Sequence, residues 1–475
     1  MLRKPLFRNR LLARALLYTG GVLAVVGVVV LANWLREPIA HWSWNRSVEE
    51  WLSHEEVELL QEYLRIDTSY PDGNEIPAAE FLARHLEAAG VETHIERLGP
   101  RNANMWAVLE GEQSDALVLH NHMDVEPVRQ PDRWTVEPFA GEISPPWIIG
   151  RGAFDMKSVT IAQLMSVLDL ARRGEPLSRS VIFLATGDEE TGSRLGTRWL
   201  IQHHPELIDR FWAVLTEGGA VEARSLEEIK YWGTEFAQKR FLYVEACHGS
   251  QRRLEALWRD LRRLNTLTLR RSLLPEIETF LDRYGPTRDS ERYRELLADP
   301  ASLLVDARLL ELPWYLQLSM RHEVAPFPVV EDPEGGFKMR IILHLFNDSD
   351  PTEAIAELLP DGAIFGVPYV LEIPHEVAPA SPIDHPLFVA IDEMTNAEFE
   401  GGHGPLFVPL AATDARYYRA IGIPAYGYSP FRILATDTLT VTGPNERVAL
   451  EGFVEGVDRY RQVVRHVLGL DTESP

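Results

Sequence analysis

The 475-residue chain reads as an α/β protein built on a mostly parallel sheet with helices on both faces. Three observations predict this. Short apolar runs at 116–119, 181–184 and 213–215 fit strands buried on both faces. Amphipathic helical patterns alternate with them, as at 78–89 and 158–171. Residues that bear chemistry follow the runs directly, as they do where an open α/β sheet carries its site beyond the strand ends.

In chain order, the first feature is Ala15–Leu35, 21 mainly apolar and uncharged residues. At 1.5 Å per residue this spans a bilayer. Arg3, Lys4, Arg8, Arg10 and Arg14 precede it without an acid. The positive-inside rule then holds the tail in the cytoplasm and sends the rest of the chain across, to a periplasmic or extracellular side. A signal peptide cleaved near Val30-Leu31-Ala32 is the competing reading. Residues 1–36 are thus tail and anchor, and 37–56 a Trp-rich connector.

Helices are expected over 57–64 and 78–89, the second stopped by Gly90. Beyond the third strand the pattern changes. Leu254, Leu257, Trp258, Leu261 and Leu264 form a helical stripe flanked by Arg252, Arg253, Arg259, Arg262 and Arg263, which predicts a core face and a solvated face. Strands are expected at 314–318 and 338–345, and a helix at 352–359. This outlines an inserted α+β unit over 236–362. It splits the main domain into 37–235 and 363–475, and a last helix runs from 446 to 468.

Composition narrows the function. The net charge is −24, from 47 basic and 71 acidic residues, which argues against nucleic acid as a partner. Cys247 is the only cysteine, so neither an internal disulfide nor a cysteine metal site can form.

The strand-end segments are HNHMD (120–124), GRGAFDMKS (150–158), ATGDEETG (185–192) and LTEGG (215–219). Acid runs are usually solvated loops. His122 alone reads as a structural histidine, Asp155 as a helix cap and Glu217 as part of a Gly-Gly turn. Jointly, they bring one imidazole and three carboxylates (His122, Asp155, Glu190, Glu217) to one sheet edge, a donor set suited to zinc or another borderline divalent ion. Asp124 is positioned to orient His122 through its second ring nitrogen. His120 reads as structural.

These residues resemble the co-catalytic zinc metallopeptidase family of aminoacylases, glutamate carboxypeptidase, acetylornithine deacetylase and Gly-X carboxypeptidases. The resemblance covers nearly everything after the anchor. It runs through LQEYLRIDTSYPDGNE (60–75), HNHMDVEPV (120–128), WTVEPFAGEI (134–143), GRGAFDMKS, ATGDEETGS (185–193) and LTEGG. It resumes at ATDARYYRAIGIPAYGYSPF (412–431) and ends at GPNERV (443–448). These motifs in this order are highly specific.

The resemblance implies one or two Zn2+ ions. Asp155 would bridge the two, His122 and Glu217 would complete one site, and Glu190 would belong to the other. Glu189 would be the general base toward a metal-activated water, and Asp124 would orient His122. Asp188 is left as a turn residue. Arg416, in TDAR (413–416), would bind a substrate carboxylate, with a structural pair to Asp414 as the alternative. His248, in ACHGS (246–250), matches a histidine that reaches a substrate oxygen, often from a partner subunit. The inserted unit resembles a lid and dimerisation domain. The implied substrate is a small peptide or an N-acyl amino acid.

Two departures stand out. Thr442 occupies the position of the family's last ligand, a histidine, so the site holding Glu190 should bind metal more weakly, unless Asp437 or His403 substitutes. The lid lacks the proline after His248's motif and the arginine expected near His344, where the chain reads LHLFNDSDPTEA (343–354). An active amidohydrolase and a catalytically degenerate, membrane-tethered binding protein both fit this pattern.

Overall fold

The computed structural model describes residues 46–470, except 72, 224–228, 265–268, 334, 351, 355–376, 400–401 and 434. The apolar segment 15–35 and most of the helix expected at 352–359 lie outside the described residues. Among those described, no helix is long and apolar enough to cross a membrane.

The three predicted strands lie side by side. Gln113–His122 is the centre, with Arg179–Thr186 and Phe211–Thr216 parallel on either side. From one edge, the ten-stranded sheet runs Thr93–Arg97, Ala103–Leu109, Arg179–Thr186, Gln113–His122, Phe211–Thr216, Ala425–Gly427, Ile229–Gln238, Ala220–Ala223 and Arg432–Ile433. His403–Val408 pairs in parallel with Ile229–Gln238. Antiparallel pairing enters at the flanks. The parallel centre is what carries His122 and Thr216 to one rim.

The helix expected over 158–171 spans Lys157–Arg173 and is buried on almost every side over its first three turns. Its first residue, Lys157, donates from Nζ to the carbonyls of Tyr63 (3.1 Å) and Ile66 (2.7 Å) at the end of helix Glu55–Leu64, where that helix has carbonyls without internal partners. Several boundaries differ from the sequence-based reading. The Trp-rich connector contains a helix, Val48–Leu52, closed by a Ser47/Glu50 capping box with Trp51 buried beneath it. The last helix begins at Leu450, because Arg447–Ala449 instead pairs with Trp147–Ile149. Leu450, Phe453, Val457, Tyr460 and Val464 are all buried, as the spacing requires.

A second sheet pairs Phe337–Leu345 with Arg240–His248 on one side and with Glu323–Pro326 and Val330–Glu331 on the other. Helix Gln251–Leu264 covers it with Leu254, Leu257 and Leu261, and the five arginines stay exposed. The strand expected at 314–318 is a helix, Trp314–Ser319. Its buried Leu316 and Leu318 are two apart and read as strand alternation, but Pro313 starts a helical turn. Ile277, Phe280, Leu281, Leu296, Leu303, Leu316 and Met320 join the core of the main sheet. The span 236–362 therefore draws on two cores, and the second sheet forms only part of it.

Lys239 is the single residue between the strands Ile229–Gln238 and Arg240–His248. Its buried ammonium donates to the carbonyls of Leu318 and Arg321. Burial pushes its pKa down from 10.5 to about 7. Between those values the unfolded chain holds the extra proton, so stability rises with pH across that window and the contribution is flat below it. Lys239→Met should flatten the rise of the denaturation midpoint between about pH 7 and 9.

Candidate metal centre and active site

The rim is formed by backbone that ends strands sharply. His122 is the last residue of its strand. Its Nδ1 lies 2.8 Å from the backbone carbonyl of Asp124, to which it donates. That bond directs Nε2 outward, 3.4 Å from Oδ1 of Asp155 and 3.6 Å from Oε2 of Glu217. Nε2 is buried and has no hydrogen-bond partner. Glu217 follows strand Phe211–Thr216 and is turned by Gly218 and Gly219, both at positive φ. A β-carbon at 219 would stand 2.7 Å from the carbonyls of Gly233 and Gly427, so only glycine fits there.

Asp155 sits on the loop 150–155, and its peptide bond to Met156 is cis. The buried Glu446 carboxylate organises this loop. It accepts from the amides of Gly152 (3.1 Å), Phe154 (2.9 Å) and Asp155 (3.0 Å), and from the Arg151 guanidinium. Burial pushes its pKa up, against the pull of Arg151 and these amides. Arg151 also donates to the carbonyl of Thr442 (2.9 Å).

The acid run 188–190 forms a tight turn in which four consecutive amides are held by side chains. Asn104 accepts from Gly187 (3.1 Å) and Glu75 from Asp188 (3.2 Å). Asp124 accepts from Glu189 (3.0 Å) and Glu190 (2.9 Å). The His122 ring nitrogen Nδ1 thus faces both the backbone carbonyl of Asp124 and, at 3.6 Å, its carboxylate, which the two amides hold in place. Asp188 is a turn residue at φ 62, accepting from Leu195 and Thr191. His120 is structural, bonded to Thr216 and Thr186.

The electrostatics are those of a site short of positive charge. Ligand-type atoms of His122, Glu189 and Glu217 lie within 4.8 Å of one another. Desolvation, then Asp414 and Glu217, hold the Glu189 carboxyl well above its usual range. Desolvation and Asp155 do the same for Glu190, and push Glu217 up to about 7. Desolvation opposes charging of His122, but Glu217, Asp124 and Asp155 outweigh it and raise its pKa well above the ordinary value. Oε1 of Glu189 and Oε1 of Glu190 are buried without partners, as Nε2 of His122 is. Buried carboxylates of this density need a cation, and the donor set fits a divalent one.

Arg416 is the nearest fixed cation, with Nη2 3.9 Å from Oε1 of Glu189. It donates to the Tyr417 hydroxyl (3.1 Å), while Nε and Nη1 are buried without partners. The alternative pairing with Asp414 is not found. That carboxylate accepts from Ser193 and Thr197 (2.6 Å).

Four residues remain to be placed. Thr442 is an exposed turn residue at φ 54. Neither suggested substitute is free. His403 is buried between Asp392 (2.6 Å) and Thr234 (2.8 Å), and Asp437 accepts from Arg447 (2.8 Å) and Trp147 (3.3 Å). His248 ends its strand opposite Phe337 and accepts from the Ser250 amide (2.8 Å). It is not among the residues that line the cavities at the rim.

A recess of about 90 Å³ is lined by Glu126, Glu189, Glu190, Gly192, Phe241, Ala412 and Arg416. Beside it, a cavity of about 510 Å³ lies between Tyr70, Glu126, Arg129, Glu190 and Thr191 on the main domain and Phe327, Pro328, Val330, Lys338, Arg340 and Ile342 on the second sheet. Tyr70, Glu75 and Glu126 lay inside motifs of the resemblance without a role assigned to them, and Arg129 lay outside them. Glu446 was likewise legible only as part of GPNERV (443–448).

Comparison with known proteins agrees with this architecture. Residues 118–466 match the model of peptidase family M20/M25/M40. Over 164 residues the chain is 34% identical to the succinyl-diaminopimelate desuccinylase of Methylocella silvestris, which covers 34% of this chain and 42% of that protein. The match thus spans about two-fifths of that relative's length. Among solved structures, the M20 family metallo-carboxypeptidase Sso-CP2 from Sulfolobus solfataricus superposes with a TM-score of 0.66 at 18% identity, covering 88% of this chain and all of its own. Human carnosine dipeptidase 1 gives 0.66 at 13%, covering 88% and 96%. Both share the fold. With its rim of histidine and carboxylates on that fold, the chain belongs to the M20/M25/M40 family of peptidases, hydrolases of amide bonds.

Proposed function

We propose that this protein is a metal-dependent hydrolase that cleaves the amide bond of a small peptide or N-acyl amino acid with a free carboxylate beside that bond. The observation that carries it is that ligand-type atoms of His122, Glu189 and Glu217 lie within 4.8 Å of one another, with Nε2 of His122 and the Oε1 atoms of Glu189 and Glu190 buried and unpartnered. His122, Asp155 and Glu217 would hold one divalent ion, zinc by donor chemistry, with Asp155 shared toward Glu190 and a second. Such ions would supply the charge that polarises a scissile carbonyl and acidifies a water. Glu189 takes the proton of the attacking water and returns it to the leaving amine, for which a raised pKa suits it. Arg416 lines the recess beside Glu189, where its guanidinium would pair with a substrate carboxylate.

The test is metal analysis of the purified protein beside hydrolysis of dipeptides and N-acyl amino acids. Metal uptake with release of free amino acid supports the reading. No bound metal and no turnover supports a binding protein that has lost catalysis. The exposed Thr442 favours unequal ions, one tight and one loose. Thr442→His should raise metal content toward two per chain, since histidine is among the residues that tolerate positive φ. Unchanged stoichiometry would mean that another donor already serves. In this reading the segment 15–35 anchors the chain, with its catalytic part on the far side of the membrane and the second sheet as a candidate dimer surface. Extraction of the full chain by alkaline carbonate would count against the anchor.

A further inference from the structure

We infer that Glu75 is a positioning residue for the turn that carries Glu189 and Glu190. This rests on the hydrolase reading of that turn. Glu75 is the first residue of helix Glu75–Ala88, and its side chain is 5% exposed. Its carboxylate accepts from the amide of Ala103 (3.0 Å) on one neighbouring strand and from that of Asp188 (3.2 Å) at the end of another. Asn102 stands 3.5 Å from both of its oxygens. No cation pairs with Glu75 among these partners, so it is held by two backbone amides and the Asn102 side-chain amide.

The backbone is shaped around that carboxylate. A β-carbon on Gly187 would overlap the Glu75 carboxyl group. Gly187 is therefore required by close approach, not by a turn angle. Asp188 adopts φ 62 immediately after it, and Glu189 and Glu190 follow with their amides on Asp124. Glu75 thus anchors the entry to the turn and Asp124 its exit. Without the first anchor, the two glutamates keep their identity but lose their aim. A carboxylate that fixes the direction of another donor is worth about 10–100-fold in metal affinity or activity.

The test uses the full chain, stripped of metal and titrated with Co2+ under visible absorption. Glu75→Ala should weaken the looser Co2+ by about 10–100-fold and lower kcat similarly, with the tighter Co2+ and KM within about threefold. Glu75→Gln, which keeps one acceptor oxygen, should fall between. Gly187→Ala, which displaces the carboxylate from the other side, should reproduce the effect, and the double variant should be no worse than the worse single one. If both variants lower thermal stability yet leave both affinities and kcat within about threefold, Glu75 is structural only and the inference fails.

If the wild type itself takes up no Co2+ and hydrolyses no amide, the hydrolase reading fails separately. Hydrogen exchange at the amides of 188–190 then decides. Lost protection in Glu75→Ala supports the anchor, and unchanged protection overturns it.

Discussion

Glu189→Gln is expected to lower kcat for amide hydrolysis by about 10²–10⁴-fold, the range for a lost general base, with KM and metal content nearly unchanged. The substitution conserves volume, so the buried site gains no cavity. It also keeps a side-chain oxygen toward Arg416, which stands 3.9 Å away. What it removes is the capacity to take a proton. Desolvation and the neighbouring Asp414 and Glu217 already hold the Glu189 carboxyl well above its usual range, which favours its taking up a proton. The geometry also offers a competing role, because Glu189 lies within 4.8 Å of His122 and Glu217 at their ligand-type atoms. Metal content separates the two. A base leaves metal bound when replaced, whereas a ligand takes an ion with it. Full turnover in Glu189→Gln would remove it from the mechanism altogether.

The arginine facing Glu189 gives a milder expectation. Arg416→Lys should raise KM for carboxylate-bearing substrates by about 10-fold or more with a smaller change in kcat, because a point charge cannot replace two parallel donors. Steady-state kinetics on a free acid and its methyl ester would check this. A loss equal for both substrates would argue against carboxylate recognition.

The fold's centre was readable because its physics is local. Three β-branched or leucine-rich runs of four residues or fewer, each followed by polar ligand-type residues, lie adjacent in one parallel ladder. The donor set His122, Asp155, Glu190 and Glu217 was legible from residue type and placement, at strand ends or in a Gly-rich turn before a helix, whereas the role of Glu189 came only with the family resemblance. Residues whose role is defined by a distant partner were not. Glu75 precedes Asp188 by 113 positions, and Glu446 follows Asp155 by 291. Nothing in the local pattern of either marks it as an acceptor for a remote amide. Asp124 shows the same limit at short range: its place beside His122 was evident, but the partner of its carboxylate was not. The helix at Trp314–Ser319 was misread because a short apolar stretch has no resolvable period, and Pro313 decided its conformation.

Glu446→Ala is expected to destabilise the fold by about 3–5 kcal/mol, the cost of removing one partner of a buried ion pair. Glu446 is fully buried, and Arg151 is 1% exposed. Truncation strands the guanidinium and frees three amides, those of Gly152, Phe154 and Asp155. Two costs are therefore combined, and variants can divide them. Glu446→Gln keeps an oxygen for the amides but leaves Arg151 unpaired. Adding Arg151→Met removes that charge and should recover part of the loss. If the double variant regains full stability, the ion pair was the whole effect. If it regains only part, the remainder belongs to the amides that shape the Asp155 loop. In that case metal affinity should stay depressed even where the melting temperature recovers. Chemical denaturation and metal titration of the same four proteins read both quantities, and a loss under about 1 kcal/mol in Glu446→Ala would contradict a loop held by this carboxylate.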